Sequence, residues 1–75
     1  MEKHGFRIIN GKKGLYHCEI DDGTTLYAVA ESKNEAYALV KDRLYAEGGE
    51  CVSIYPETDR RNRMRYADRE KGVYI

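Results

Sequence analysis

Hydrophobic and polar residues alternate along two stretches in the first half of the chain, which predicts two β-strands. In residues 15–20 the more apolar side, which we expect to face the core, consists of Tyr16, Cys18 and Ile20. The other side consists of Leu15, His17 and Glu19. Residues 25–30 alternate in the same way and carry apolar atoms on both sides. The Asp-Gly pair at residues 22–23 predicts a tight hairpin turn between the two strands, because both residues tolerate positive φ.

A helix is predicted for residues 33–47. Ser32 and Glu35 have the spacing of a capping box, in which each side chain pairs with the backbone amide of the other. An apolar stripe at helical spacing is expected to face the core, and its members are Ala36, Tyr37, Val40 and Leu44. Glycines at residues 48 and 49 end the helix, and one of them is expected to be a left-handed cap.

Four further short strands are predicted at residues 6–9, 51–55, 64–67 and 72–75. A turn at residues 10–14 follows the first of them, because this segment contains an Asn-Gly pair and a second glycine. Pro56 ends the second, because proline cannot donate a hydrogen bond to a neighbouring strand. Residues 57–62 read as a polar loop, and the last two strands as a weaker hairpin.

Together these elements predict a single α+β domain that spans residues 1–75. With the weaker final hairpin counted as one element, the order is β-β-β-α-β-β, with a four- or five-stranded, mainly antiparallel sheet and one helix packed on one face. No second helix is predicted to cover the other face. That face is therefore left to solvent, to a partner or to a second copy in a homodimer.

The charges of the chain cancel, but they are segregated along it. Residues 19–59 hold ten acids against three bases and sum to −7, whereas residues 60–75 sum to +4 and residues 1–18 to +3. A chain polarised in this way is typical of a domain that meets a charged partner.

Two alternatives follow for the contact surface. The Arg60–Arg65 run beside Tyr66 is suited to grip a nucleic-acid backbone while the ring stacks on a base, although such arginines can also simply keep a strand solvated. The acidic block favours a basic protein surface instead, including one that normally binds nucleic acid. Because the sequence pI is near 6.7, a protein partner is the leading prediction and direct RNA or DNA binding the alternative. The candidate contact residues are Asp21, Asp22, Asp42, Tyr45, Glu57, Arg60, Arg61, Arg63, Arg65 and Tyr66.

Enzyme activity, a metal and a cofactor are not expected. His17 and Cys18 are neighbours on a strand, so their side chains point to opposite faces and cannot form a catalytic dyad. The two histidines and two cysteines lack the close pair spacing of a structural zinc site. No stretch approaches the ~20 apolar residues of a membrane helix, and no signal peptide is visible. A cytoplasmic location is therefore expected, in which Cys18 and Cys51 are more often buried thiols than a disulfide.

The order of the elements resembles that of compact phage-borne anti-CRISPR proteins. The segments that carry this resemblance are Leu26–Ala30, Ser32–Glu47, Cys51–Tyr55 and the hairpin Met64–Ala67/Val73–Ile75. Proteins of that kind are single-helix, antiparallel-sheet domains that bind nucleic-acid-handling surfaces of CRISPR effector complexes. The resemblance implies a small regulator or inhibitor from a phage or mobile element. It lies in element order and size, so it assigns no site residue.

Overall fold

A computed structural model describes residues 14–75 of the chain. The elements are β1 (Gly14–Ile20), β2 (Thr25–Ala30), α1 (Lys33–Tyr45), β3 (Cys51–Pro56), α2 (Arg60–Arg65) and β4 (Gly72–Tyr74). The predicted strand at residues 6–9, and the turn after it up to residue 13, lie outside the described residues.

The four strands form one antiparallel sheet in the order β3-β1-β2-β4. The predicted hairpin joins β1 and β2, and Gly23 adopts a φ of 92° in its turn. The chain then crosses one face of the sheet as α1 and returns as β3 beside β1. The predicted α+β class, with an antiparallel sheet and one main helix packed on it, is confirmed.

The main core lies between α1 and the sheet. Its buried members are Cys18, Ile20, Leu26, Ala28, Ala30, Ala36, Val40 and Leu44. Tyr37, predicted on the buried stripe, is instead 44% exposed. Leu39, on the other side of the stripe, packs against the core in its place, so the helix is rotated slightly from the predicted phase.

Both ends of α1 follow the chemistry of their sequence. The Ser32 hydroxyl accepts from the Glu35 amide at 3.1 Å, as the capping box predicts. The Glu35 carboxylate accepts from the Glu31 amide at 2.7 Å rather than from that of Ser32, so the reciprocal half of the box is shifted by one residue. At the other end Gly48 has a φ of 79°, and its amide donates to the Leu44 carbonyl at 2.8 Å.

The predicted final hairpin is wrong. Arg60–Arg65 is a short helix, and Gly72–Tyr74 pairs with β2 at the edge of the sheet. Asp59 caps this helix, because its side chain accepts from the Arg61 amide at 2.9 Å. The segment from Pro56 to β4 therefore connects the two outer strands of the four described here.

The sheet face opposite α1 is partly covered, contrary to the sequence prediction. Tyr66, directly after α2, is buried against Leu15 and Val29. It is 3% exposed, and its ring stacks on Tyr27 with centroids 5.2 Å apart. Leu15 is buried for this reason, although it lies on the side of β1 that was not assigned to the core. The uncovered face that favoured a homodimer is therefore smaller than predicted.

Candidate functional site

A cluster of acidic side chains lies at one end of the molecule. The turn between β1 and β2 is tied to the loop after α1, because the Asp21 amide donates to the Glu50 carbonyl at 2.9 Å and Asp21 Oδ1 accepts from the Glu50 amide at 3.3 Å. These bonds bring together carboxylates that are distant in sequence. We use the name acidic end for Asp21, Asp22 and Glu50, which these bonds bring together, and for two exposed acids of the adjoining C-terminal part of α1 and its loop, Asp42 and Glu47.

The carboxylates of the acidic end differ in their hydrogen-bond and ion-pair partners. Asp22 accepts from both the amide and the hydroxyl of Thr24, and the hydroxyl bond is the larger cause of a pKa below the usual range of a carboxyl. Glu47 lies 3.7 Å from the Arg43 guanidinium. Within residues 14–75, Asp42 and Glu50 form no ion pair. The acidic end therefore keeps carboxylates available to an outside cation.

A surface groove of about 480 Å³ adjoins the acidic end. Its walls include Tyr37, Lys41, Tyr45, Gly48, Gly49 and Cys51. Tyr45 is 89% exposed, so nearly its whole ring is open to contact. Gly49 lets the loop lie close to the core, because a Cβ there would come within 3.3 Å of Ile20 and 3.4 Å of Leu44. The groove thus combines two exposed tyrosine rings with one acid of the acidic end, Glu50, and one base, Lys41.

The predicted basic run forms the outer surface of α2, on the sheet face opposite α1. Arg60, Arg61 and Arg65 are exposed, and Arg63 is half-buried. Together they are named the α2 arginine surface. None of the four forms an ion pair with an acid of the described chain. Met64, on the same helix, is 56% exposed.

Tyr66 does not belong to this surface, contrary to the sequence prediction. Its ring is buried, and its hydroxyl donates to the Ile75 carbonyl at 2.8 Å. The Arg69 guanidinium lies over both this ring and that of Tyr74, at 5.6 and 5.4 Å from the centroids. A nucleic-acid base therefore has no free face of Tyr66 on which to stack.

Glu57 is also misplaced by the sequence prediction, which put it on the acidic surface. It is 8% exposed, and its carboxylate accepts from His17 Nδ1 at 2.9 Å and from the Asp59 amide at 2.9 Å. A buried carboxylate is tolerated when such bonds satisfy it. Its role is to fix the start of the segment that carries α2.

His17 is the centre of a polar cluster that sequence reasoning missed. Its ring stacks on Tyr55 at 4.8 Å and meets Tyr27 edge to face at 5.4 Å. Its second nitrogen, Nε2, is buried without a hydrogen-bond partner among residues 14–75, and the Glu19 carboxylate lies 3.5 Å away. No local sequence motif predicts this cluster, because Glu57 lies forty positions after His17 in the chain.

The two cysteines are free thiols; Cys18 is buried, as predicted, whereas Cys51 is half-buried. Burial raises the pKa of Cys18 to about 12, and the neighbouring thiol of Cys51 adds to the effect. Cys18 is therefore a protonated, unreactive thiol at neutral pH. Within residues 14–75, no three His, Cys, Asp or Glu side chains are grouped so as to hold a metal ion.

Comparison of the chain with models of protein families, with curated proteins and with solved structures found no match. None of the helices in residues 14–75 has the length and apolar character needed to cross a membrane.

Proposed function

We propose that this chain is a non-enzymatic interaction module whose acidic end binds a basic surface of a protein partner. The observation that carries the proposal is the exposure of Tyr45, 89% of which is open to solvent beside a groove of about 480 Å³. A bare tyrosine at the mouth of a groove is typical of an interface anchor, because its ring contributes a large contact area at low conformational cost.

The net negative charge of the acidic end indicates which class of protein it can bind. Lys41 and Arg43 are the cations on the C-terminal part of α1, against five carboxylates of the acidic end. Complementary charge at the rim of an interface speeds association and excludes partners of the wrong sign. A partner with lysines or arginines around an apolar or aromatic side chain fits this surface best.

A basic protein surface of this kind is often one that binds nucleic acid. An acidic module that occupies it would compete with the nucleic acid and act as an inhibitor. This is the role that the resemblance to phage anti-CRISPR proteins implies. We expect the protein to work in the cytoplasm, where free thiols such as those of Cys18 and Cys51 are kept reduced.

The test is affinity purification of the tagged protein from its native cell, followed by reconstitution of the complex from purified components. Asp42→Lys combined with Glu50→Lys should weaken the reconstituted complex at least tenfold. Tyr45→Ala should weaken it about fivefold or more, which corresponds to the loss of an anchor worth at least ~1 kcal/mol. Thermal unfolding should be nearly unchanged, because all three side chains are exposed.

Asp68→Lys is the matched control, since Asp68 is an exposed acid that lies outside the acidic end. It should leave the affinity within twofold of the original. Equal weakening by the control and by the acidic-end variants would contradict the proposal, because charge in general, rather than this surface, would then govern binding.

A further inference from the structure

Some of the arginines of α2 occupy positions that lower the stability of this helix. Arg61 and Arg65 are four residues apart, so their like charges face each other on one side of the helix. Arg60 and Arg61 also stand in the first turn, where the helix dipole disfavours a positive charge and where α2 has no acidic residue. Arg63 and Arg65 stand in the last turn, where the dipole favours a positive charge, so the cost falls on Arg60 and Arg61 and on the Arg61–Arg65 repulsion. An anion bound against these side chains would offset that cost.

The described part of the chain does not supply that anion. The ion pairs of its lysines and arginines join Arg43 to Glu47, and Lys71 to Glu31 and Glu35. Asp59, at the start of α2, uses its carboxylate to accept from the Arg61 amide, where it serves as the helix cap. The four guanidinium groups therefore keep their donors for an external partner.

We infer that the α2 arginine surface binds the phosphate backbone of a nucleic acid. A guanidinium group donates two parallel hydrogen bonds to one phosphate, and several such groups in a row match a chain of regularly spaced phosphates. Two of the arginines, Arg61 and Arg65, line a shallow depression of about 410 Å³ together with Asp59, Asn62 and Met64. These two arginines can converge on the same stretch of backbone.

A nucleic acid fits this surface better than an acidic protein does. Protein interfaces are centred on aromatic or large apolar anchors, but Tyr66, directly after α2, is buried and stacks on Tyr27. On the same sheet face Tyr55 is 38% exposed, and its ring is already stacked on His17. Met64 is the one exposed large hydrophobic side chain of α2 itself. A helix surface on which arginines outnumber apolar side chains is suited to a ligand recognised mainly by its charge.

The geometry also fixes the mode of binding. Because the ring of Tyr66 is buried, it cannot stack on a base, so single strands should have little advantage over duplexes and sequence preference should be weak. If each arginine neutralises one phosphate of a duplex, the logarithm of the affinity should fall by about 3 to 4 for each tenfold rise in salt. The α2 arginine surface shares no residue with the acidic end, so the inference does not depend on the proposed protein partner.

Fluorescence anisotropy tests the inference directly. The probes are a fluorescein-labelled 20-base-pair DNA duplex, the same DNA strand alone and an RNA of equal length, at sodium chloride concentrations from 20 to 300 mM. Each probe should bind, with a steep salt dependence and less than threefold preference among sequences. Arg61→Gln combined with Arg65→Gln should weaken binding at least tenfold at 50 mM salt and should reduce the slope by about 2.

Lys41→Gln combined with Arg43→Gln is the matched control, because it removes the same two charges from α1. It should change the affinity less than threefold. The circular dichroism of each variant shows that it is folded, and the second pair Arg60→Gln with Arg63→Gln replaces the first if that one unfolds. The inference is overturned if no probe binds below 100 μM at 50 mM salt, if the control pair weakens binding as much, or if polyglutamate competes as well as duplex DNA.

Discussion

Removal of the Glu57 carboxylate should destabilise this domain more than the loss of any exposed acid. Glu57 sits where the chain leaves β3 for α2, and its backbone amide donates to the Leu15 carbonyl at 2.9 Å. Its side chain joins His17 on β1 to the Asp59 amide at the start of α2. Glu57→Ala breaks both side-chain bonds and leaves His17 Nδ1 without its acceptor.

The magnitude follows from burial and from the charge of the acceptor. A hydrogen bond to a charged group contributes about 1.5–3 kcal/mol, and removing one partner of a buried pair costs about 3–5 kcal/mol. The Glu19 carboxylate lies 3.5 Å from His17 Nε2 and pairs with the ring only in its protonated form. The free energy of unfolding should therefore fall by about 2–4 kcal/mol, a large part of what a domain of this size possesses.

Urea unfolding followed by circular dichroism at 222 nm measures this change. Glu19→Ala is the matched control, because the Glu19 side chain is 51% exposed and its carboxylate lies farther from the His17 ring, at 3.5 Å. It should cost less than about 1 kcal/mol. A double-mutant cycle with His17→Phe and Glu57→Gln then isolates the coupling between the two side chains, since Phe keeps a flat ring beside Tyr55.

The reasoning fails if Glu57→Ala costs no more than Glu19→Ala. It also fails if the cycle gives a coupling below about 0.5 kcal/mol, because the two side chains would then contribute independently. A loss confined to Glu57→Ala without coupling would indicate that the Asp59 amide, and not His17, is the partner that matters.

Three further predictions concern the α1 side of the sheet. Ser32→Ala should lower the free energy of unfolding by about 0.5–2 kcal/mol, because the Glu35 amide loses its acceptor; an unchanged urea midpoint would contradict this role. Leu44→Ala should cost about 2–5 kcal/mol through the cavity it leaves in the core, whereas Tyr45→Ala, the adjacent exposed position, should cost far less in the same assay. Burial raises the pKa of Cys18 to about 12, so the thiol ionises at lower pH in the unfolded chain than in the folded one. The contribution of Cys18 to the free energy of unfolding should therefore be complete below about pH 9 and should be lost as the pH rises toward 12. Cys18→Ala should flatten that alkaline decline, and an equal decline in both proteins would show that other groups cause it.

The elements between residues 14 and 56 could be predicted because their signals are local. The alternation in β1 and β2, the Asp-Gly turn and the Ser32 cap each lie within a few residues of the structure that they specify. The error at Tyr37 is one of helix phase: Tyr37 and Leu39 lie on either side of the stripe that Ala36 and Val40 define. The sheet, rather than the sequence pattern, decides which of them is buried.

The helix α2 was missed although its signals were present. Asp59 is a good cap residue, and arginine and methionine favour helices. Six residues are too few to show a helical period, and the pattern of Met64 and Tyr66 fits a strand equally well. The burial of Glu57 could not be predicted, because an acid is rarely buried and its partner, His17, comes from the far end of the described chain.

The position of β1 inside the sheet has a consequence for how the domain folds. Its pairing with β2 joins nearby residues, such as Gly14 and Ala30, whereas its pairing with β3 joins Tyr16 to Pro56 across the whole of α1. Closing the longer loop costs more entropy, so we expect the β1–β2 hairpin to form early and the segment of α2 and β4 to dock last. Substitutions in the hairpin should then slow folding, and those in the late segment should mainly speed unfolding. The backbone amides of α2 should accordingly exchange with deuterium faster than those of α1. The arginines of α2 therefore lie on a segment that unfolds locally while the rest of the domain stays folded.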